Sequence, residues 1–472
     1  MTAPTSAVPP KAVGRPIEAS PVSAVTSSIR LKLRAPSRMR NVELGLLLLA
    51  CGINASAILL VQLGALGVID WSLATLGIGL SILVFGMHIA LRIVAVEADP
   101  FILPIATVLN GLGIAMIYRL DLAKDHEGWA MASLRQIAWT AIAISLAIAV
   151  IVLLRNHRLL YRFRLTFALV GIVLLVIPVF FRPVNGANIW VQLGPFSFQP
   201  GELGKIALAI FFAGYLVTAR DSLSMIGRKV LGLTFPRARD LGPILVVFAA
   251  SMGVLVFQRD LGTALLYFGL FLVMLYVATG RASWVVLGLG LFLGGAFAAS
   301  RVLTYVGGRV NSWLDAFSQT NYDAAGGSYQ LVQGLFGLAS GGLIGQGLGQ
   351  GRPDVTPLAE SDYIFASLGE ELGLVGVFAI LALYLLLVSR GFRIGFAGQD
   401  DFGRLLAVGL AFVVGLQVFI VIGGVTRVIP LTGLTTPFLA AGGSSLVANW
   451  IIVALLLRVS DTVRSQPRAV IE

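Results

Sequence analysis

Runs of apolar residues, each long enough to cross a bilayer as a helix, dominate the chain. Twelve such runs lie near 42–64, 72–95, 101–118, 137–154, 164–181, 203–219, 242–258, 262–279, 282–303, 364–389, 404–424 and 434–458. Most polar interruptions are short. The exception is the Gly-rich segment 304–361, within which Tyr329 to Leu343 has the amphipathic pattern of a helix resting on a membrane surface. The pattern predicts an all-α polytopic membrane protein of about twelve transmembrane helices with one large external loop. The first two runs carry few ionisable residues and read as an addition to a ten-span core.

Composition agrees with this reading and narrows it. Of 472 residues, 57% are hydrophobic and 12% charged, and the mean hydropathy is +0.91. A water-soluble domain cannot hide that much apolar surface. The net charge of +11 raises the question of nucleic acid. The cations, however, cluster between apolar runs, as topology-setting residues do, so no nucleic-acid partner is expected. Placing the N-terminus in the cytoplasm puts Arg155, Arg158, Arg162 and Arg164 inside, together with Arg220, Arg228, Lys229, Arg237 and Arg239. Both termini are then cytoplasmic. Residues 1–41, rich in Pro, Ala, Ser and Thr and ending in a basic collar (Arg30, Lys32, Arg34, Arg38, Arg40), read as a disordered tail beside membrane lipids. Cys51 is the lone cysteine and forms no intrachain disulfide, while His88, His126 and His157 are scattered without zinc spacing.

The densest candidate chemistry is Leu358-Ala-Glu-Ser-Asp-Tyr-Ile-Phe-Ala-Ser-Leu-Gly-Glu-Glu-Leu-Gly373, where four carboxylates enter an apolar helix. An ionisable group at membrane depth costs about 2.5–3.5 kcal/mol on insertion scales, so such groups face protein or a wet cavity. Glu370 and Glu371 point to different faces, so one can look into a cavity while the other binds a neighbouring helix. About 12 Å of helical rise separates Asp362 from Glu370, too far for both to reach one atom. Asp362, at the boundary, is the better candidate base; the alternative is a helix N-cap.

Three further constellations stand out. Pro200 can open a helix with Glu202 in its first turn and Lys205 three residues on. That pair is either a buried salt bridge or a cavity lining whose ammonium meets an anionic substrate. Trp190 reads as an interfacial anchor or a sugar platform. In Gln258-Arg-Asp-Leu-Gly-Thr263, Asp260 is either a helix cap or a substrate or metal contact. Arg427 is an isolated external cation suited to phosphate or to a nearby acid. The run Gly345-Gln-Gly-Leu-Gly-Gln-Gly351 lacks the strand before it and the Lys-Ser/Thr after it that a nucleotide loop needs.

Taken together, several segments resemble the SEDS family (shape, elongation, division and sporulation; RodA/FtsW/SpoVE). They are Gly186-Ala-Asn-Ile-Trp190, Phe198-Gln-Pro-Gly-Glu-Leu-Gly-Lys205, Gln258–Thr263, Gly341-Gly-Leu-Ile-Gly-Gln-Gly347, Asp362-Tyr-Ile-Phe365, Gly369-Glu-Glu-Leu-Gly-Leu-Val-Gly376, Pro430-Leu-Thr-Gly-Leu-Thr-Thr-Pro437 and Gly442-Gly-Ser-Ser445. Their order and spacing cover roughly residues 100–458, and the two extra spans resemble those of actinobacterial RodA-type members. The resemblance assigns residues 42–98 to those spans, 99–460 to the catalytic core and 461–472 to a cytoplasmic tail. Arg259 stands where a proline is common, Ser197 where an arginine is often found, and Ala440-Ala441 where Ser-Tyr is frequent.

The resemblance implies a peptidoglycan glycosyltransferase that polymerises lipid II into β-1,4 glycan at the outer face of the bacterial cytoplasmic membrane, for elongation and shape. It places Asp362 on the essential acidic position, Glu202 and Lys205 on a membrane-embedded acid–base pair, Trp190 on a loop tryptophan and Asp260 on an Asp-Leu-Gly turn. The substrates are then lipid II and an undecaprenyl-pyrophosphate-linked glycan. Asp362 would take the proton from the acceptor hydroxyl. Arg309, Arg427 and Lys205 are candidate cations for the pyrophosphate, with a divalent ion, Mg2+ or Mn2+, as a candidate cofactor and Asp362 as its candidate ligand. A class B penicillin-binding protein is the implied partner. The rival readings are a lipid II flippase and a scaffold for that partner.

Overall fold

The computed structural model describes residues 36–184, 186–193, 196–223, 229–230, 233–234, 242–324 and 326–465. Most of the basic N-terminal tail, the loop cations Arg228, Arg237 and Arg239, and residues 466–472 lie outside them. The described chain is helical apart from two short antiparallel strand pairs, β1 (Val191–Leu193) with β2 (Phe196–Phe198) and β3 (Lys229–Val230) with β4 (Leu233–Thr234). In order the helices are α1 (Pro36–Leu66), α2 (Trp71–Val94), α3 (Ile102–Ala123), α4 (Ala132–Leu153), α5 (Arg158–Arg162), α6 (Arg164–Val176), α7 (Pro200–Leu223) and α8 (Gly242–Gln258). They continue with α9 (Leu261–Thr279), α10 (Ala282–Val302), α11 (Thr304–Leu314), α12 (Gln319–Asp323), α13 (Tyr329–Gly341), α14 (Ile364–Ala397), α15 (Asp401–Val425) and α16 (Gly443–Arg464).

Ten of these helices are long and apolar enough to cross a membrane. The runs at 164–181 and 242–258 fold as shorter apolar helices, α6 passing into a 3-10 turn that ends at Phe180. All twelve expected runs are therefore helical, ten of them at full crossing length. Helix α1 starts at Pro36, ahead of the expected boundary near 42. Burial separates centre from rim. In its most apolar window α3 is 89% buried and α16 83%, whereas α1, α2 and α10 are each 22% buried. The chain thus builds its core on α3 and α16 and turns the outer faces of α1, α2 and α10 away from it.

Glycines set the closest approaches: a β-carbon on Gly391 of α14 would sit 2.4 Å from that of Ala411 on α15. A β-carbon built on Gly113 of α3 would sit 2.5 Å from the Leu439 carbonyl oxygen, so only glycine admits that strand of chain. The loops that follow α3, α6, α8, α10 and α15 meet one another: Lys124 pairs with Glu360 (2.8 Å), Asn188 N donates to the Gln258 carbonyl (3.0 Å), Arg309 to the Thr432 carbonyl (2.9 Å) and Ala441 N to the Glu360 carbonyl (2.7 Å). The amphipathic stretch in the large loop is α13, which packs along α14. Within the same loop α11 and α12 precede α13.

Helix α14 is interrupted at Gly373, whose φ of 67° and ψ of −173° leave the helical region. The break frees peptide groups that the Gly341–Gly347 segment then satisfies. Gln346 and Gly347 donate to the carbonyls of Glu370 and Glu371 (3.0 Å each), and Leu374 and Val375 donate to Gly342 (3.0 Å) and Leu343 (3.1 Å). An unpaired peptide group within a bilayer costs several kcal/mol, so the loop and the broken helix require each other. A β-carbon at Gly373 would overlap the Gly345 backbone nitrogen. Gly373→Ala is expected to lower stability by at least about 1–3 kcal/mol from the left-handed backbone alone, read as a fall in the midpoint of thermal unfolding in detergent. An unchanged midpoint would show that the break tolerates a side chain.

Candidate active site

The sequence-predicted residues converge at the end of the bundle where the loops gather, and they divide by what they touch. Asp362 lies two residues before α14. The N-cap position is Tyr363, with no side-chain cap, so Asp362 is not the helix cap. Its carboxylate is half-buried and takes one described hydrogen bond, from the Ser361 hydroxyl to Oδ1 (2.7 Å). Arg309, on α11, donates to the carbonyls of Thr432 (2.9 Å) and Leu431 (3.3 Å). Both this guanidinium and the Asp362 carboxylate lie close to Gly433. A β-carbon at Gly433 would be 3.8 Å from Asp362 Oδ2 and 3.9 Å from Arg309 Nη2. Gly433 has φ 78°, and it keeps this gap open.

Burial pushes the Asp362 carboxyl above the usual range. The Ser361 hydroxyl and the Arg309 charge pull it back, while Asp260 and Glu360 add to the rise. Asp260 caps α9: Oδ1 accepts from Thr263 N (3.0 Å) and Oδ2 from the Thr263 hydroxyl. Burial raises its pKa also, against the Thr263 bonds and the charge of Arg309. Both acids therefore feel the same guanidinium. Next to Asp260 stands Arg259, exposed and at φ 57°, a conformation closed to the proline that the resemblance leads one to expect.

Deeper in the bundle, Lys205 Nζ donates to Glu202 Oε2 (2.7 Å), Gln417 Oε1 (2.8 Å) and Asn449 Oδ1 (3.3 Å). Only 1% of its side chain is exposed. All three N–H donors of the ammonium are thus taken by protein, and the group ties α7 to α15 and α16. Pro200 opens α7 with Glu202 in the first turn, as the sequence predicts.

Glu371 binds a neighbouring helix, as expected of one of the two, through Arg119 of α3, whereas Glu370 bonds the loop. Both hold the segment Gly349–Arg352. Glu370 Oε1 accepts from Arg352 N (2.6 Å), and Glu371 accepts from Gly349 N (2.8 Å) and from Arg119 Nε (3.0 Å). The break at Gly373 explains this, because it lets that segment run beside the helix within reach of both. Arg427 pairs with no acid among the described residues. Its guanidinium donates to the carbonyls of Trp313 and Leu314 (2.7 Å each) and lies 5.5 Å from the Phe317 ring centroid. Trp190 is half-buried immediately before β1, in a segment tied to the Asp260 turn through Asn188 N and the Gln258 carbonyl (3.0 Å).

Sequence reasoning missed four contributors. Arg119 sits inside α3, where an intramembrane cation is itself a signal. Gln417 and Asn449 are uncharged and carry no such mark. Ser361 shows only as the neighbour of Asp362. Among the described residues no group of three or more His, Cys, Asp or Glu converges as a metal site. A cavity of about 470 Å³ lies elsewhere, between α1, α2, α3 and α4. The arrangement at Gly433, one half-buried carboxylate close to one cation held by backbone carbonyls, suits removal of a proton beside a stabilised anion.

Comparison with known proteins matches this architecture. Peptidoglycan glycosyltransferase RodA of Mycobacterium tuberculosis is 45% identical over 443 residues, 92% of this chain and 93% of that one. A probable peptidoglycan glycosyltransferase FtsW of Geobacter metallireducens is 32% identical over 379 residues, 78% of this chain and 96% of that one. A chain from a solved structure described as structural coordination of polymerization and crosslinking by a peptidoglycan synthase complex aligns with a TM-score of 0.52 at 26% identity, covering 84% of this chain and 98% of that one. The sequence model of the FtsW/RodA/SpoVE family, described as cell cycle protein, matches residues 100–465, and the chain belongs to that family.

Proposed function

We propose that this protein is a peptidoglycan glycosyltransferase, polymerising lipid II into glycan for cell elongation and shape, and that Asp362 is its general base. The observation that carries the assignment of the base is the gap at Gly433, where a half-buried carboxylate and a guanidinium held by the Leu431 and Thr432 carbonyls both approach the same glycine. The growing glycan on undecaprenyl pyrophosphate is the donor and lipid II the acceptor. Asp362 takes the proton of the acceptor's GlcNAc 4-hydroxyl as that oxygen bonds to the donor's anomeric carbon. The bond from that carbon to the pyrophosphate oxygen breaks, and the electron pair leaves with the lipid pyrophosphate. One displacement inverts an α-linked donor to a β-1,4 linkage. The leaving group needs positive charge more than a proton. Arg309 supplies it, since its Nη2 lies beside Gly433 together with Asp362, whereas Lys205 is enclosed by Glu202, Gln417 and Asn449.

A divalent cation, Mg2+ or Mn2+, is proposed as a companion of the pyrophosphate. Such ions are held largely by substrate phosphates and water with one or two carboxylates. The gap offers one, Asp362, which fits that manner of binding; when bound, the ion would neutralise charge on the leaving pyrophosphate. The distribution of cations supports cytoplasmic termini and a reactive end on the outer face of the bacterial cytoplasmic membrane. The solved relative described as a complex coupling polymerization to crosslinking supports a penicillin-binding protein of class B as partner.

Asp362→Asn is expected to reduce polymerisation of labelled lipid II in detergent by about 10²–10⁴-fold with unchanged thermal unfolding. Glycan chains made at the wild-type rate would remove the base assignment, and wild-type protein that binds lipid II without polymerising it would favour the flippase or scaffold readings. The pH profile gives an independent check. The base works only when deprotonated, and burial raises its pKa, so kcat/KM should fall with decreasing pH above the ordinary aspartate range. Arg309→Ala removes a charge that favours the carboxylate, so it should move this limb further up in pH as well as lower kcat. A limb that stays in place separates the two groups. Removal of divalent ions with EDTA is expected to slow polymerisation, and Mg2+ or Mn2+ to restore it; full activity in chelator would dismiss the ion.

A further inference from the structure

The glycine run 345–351, which sequence excludes as a nucleotide loop, has a different place in the molecule. It is wedged between α1 and the broken part of α14. A β-carbon on Gly64 of α1 would overlap the Leu348 carbonyl oxygen, and one on Gly349 would lie 2.7 Å from the Val61 carbonyl oxygen and 2.9 Å from Ala65 N. Gly349 also has φ 86°, so both sides of the crossing need glycine. The Leu348 side chain packs with Val61 of α1 and Ile114 and Tyr118 of α3. The loop is therefore pressed against the added pair of helices, backbone to backbone.

That pair is in turn bonded to the core at three levels. Arg458 of α16 donates to the Val94 carbonyl at the end of α2 (2.9 Å). Asn54 of α1 donates to the Thr107 carbonyl of α3 (2.9 Å), and Gln62 of α1 to the Tyr118 hydroxyl of α3 (3.5 Å). On its other side the loop is held by Glu371 at Gly349 N (2.8 Å), by Arg119 at the Gly351 carbonyl (2.7 Å) and by Glu370 at Arg352 N (2.6 Å). Ten residues after Arg352 the same strand of chain delivers Asp362 to the gap at Gly433. The matched family region starts at residue 100, so α1 and α2 lie outside it.

We infer that the α1–α2 pair is a positioning element for the reaction: through the Gly64–Gly349 crossing it fixes the segment that presents Asp362, with Gly64, Gly349 and Leu348 as positioning residues. The inference rests on the reading of Asp362 as the base. Displacement of a reacting group by about 1 Å can cost about 10²-fold in rate. The consequence is specific to turnover, because the crossing touches neither Arg309 nor the gap itself.

The test compares full-length Gly64→Ala, which crowds the crossing, with Leu348→Ala, which empties it. Gly52→Ala is the control on the same helix, since nothing lies within 4 Å of a β-carbon there. Polymerisation of labelled lipid II in detergent is measured together with hydrogen exchange over residues 345–363. Both variants are expected to lose about tenfold or more in kcat with KM within about twofold, and to exchange faster over 345–363 while α15 and α16 keep their protection. If Gly64→Ala does not fold, Leu348→Ala decides alone. Rates equal to that of Gly52→Ala, or a raised KM at unchanged kcat, would overturn the inference. Asp362→Asn, run beside them, separates the two failures: a fully active Asp362→Asn overturns the parent reading, whereas an inactive one beside fully active Gly64→Ala and Leu348→Ala overturns only the positioning role.

Discussion

The reactive end depends on one exchange of backbone hydrogen bonds, that between the interrupted α14 and the Gly341–Gly347 segment. In a bilayer, peptide groups have no water to fall back on, so a helix breaks only where another strand of chain completes it. At Gly373 this requirement brings an irregular loop down beside a membrane helix. The loop then carries Glu370 and Glu371 partners along its length and ends at Asp362. A carboxylate on a free external loop would wander over several ångströms. Here the same backbone constraint that makes the fold possible also limits where the Asp362 carboxylate can be.

Electrostatics at this end follow a simple division between completed and incomplete ions. Lys205 and Glu371 are surrounded by partners supplied by the protein, and breaking such a buried pair typically costs about 3–5 kcal/mol because it strands a charge. Their role is to fix α7, α15, α16 and α3 relative to one another. Asp362 and Arg309 are only half-buried, and the Arg309 bonds go to neutral carbonyls that orient the guanidinium without neutralising it. A site for a pyrophosphate and a hydroxyl needs this second kind of ion. The first kind makes the scaffold rigid enough for the second to matter.

Much of this was legible in the residues themselves. Apolar run lengths place all twelve apolar helices, Pro200 opens α7, and Asp260 is the cap that its Asp-x-x-Thr spacing suggests. Periodicity also places α13. It fails at Gly373, because a run of apolar residues with one glycine reads as continuous helix, and the φ of 67° is imposed by a segment thirty residues away in sequence. For the same reason the joint task of Glu370 and Glu371 could not be read from their opposite helix faces. Arg309 showed only as a cation in a loop; its place comes from the Leu431 and Thr432 carbonyls, and no local pattern records that pairing.

The departure at Arg259 has a physical explanation in the same geometry. A left-handed φ costs a non-glycine residue about 1–2 kcal/mol and excludes proline outright. Arg259 therefore signals a turn into α9 shaped differently from one built on proline, held by the Asp260 cap on one side and by Asn188 on the Gln258 carbonyl on the other. That second bond joins the turn to the segment carrying β2, where Ser197 stands exposed in place of an expected cation.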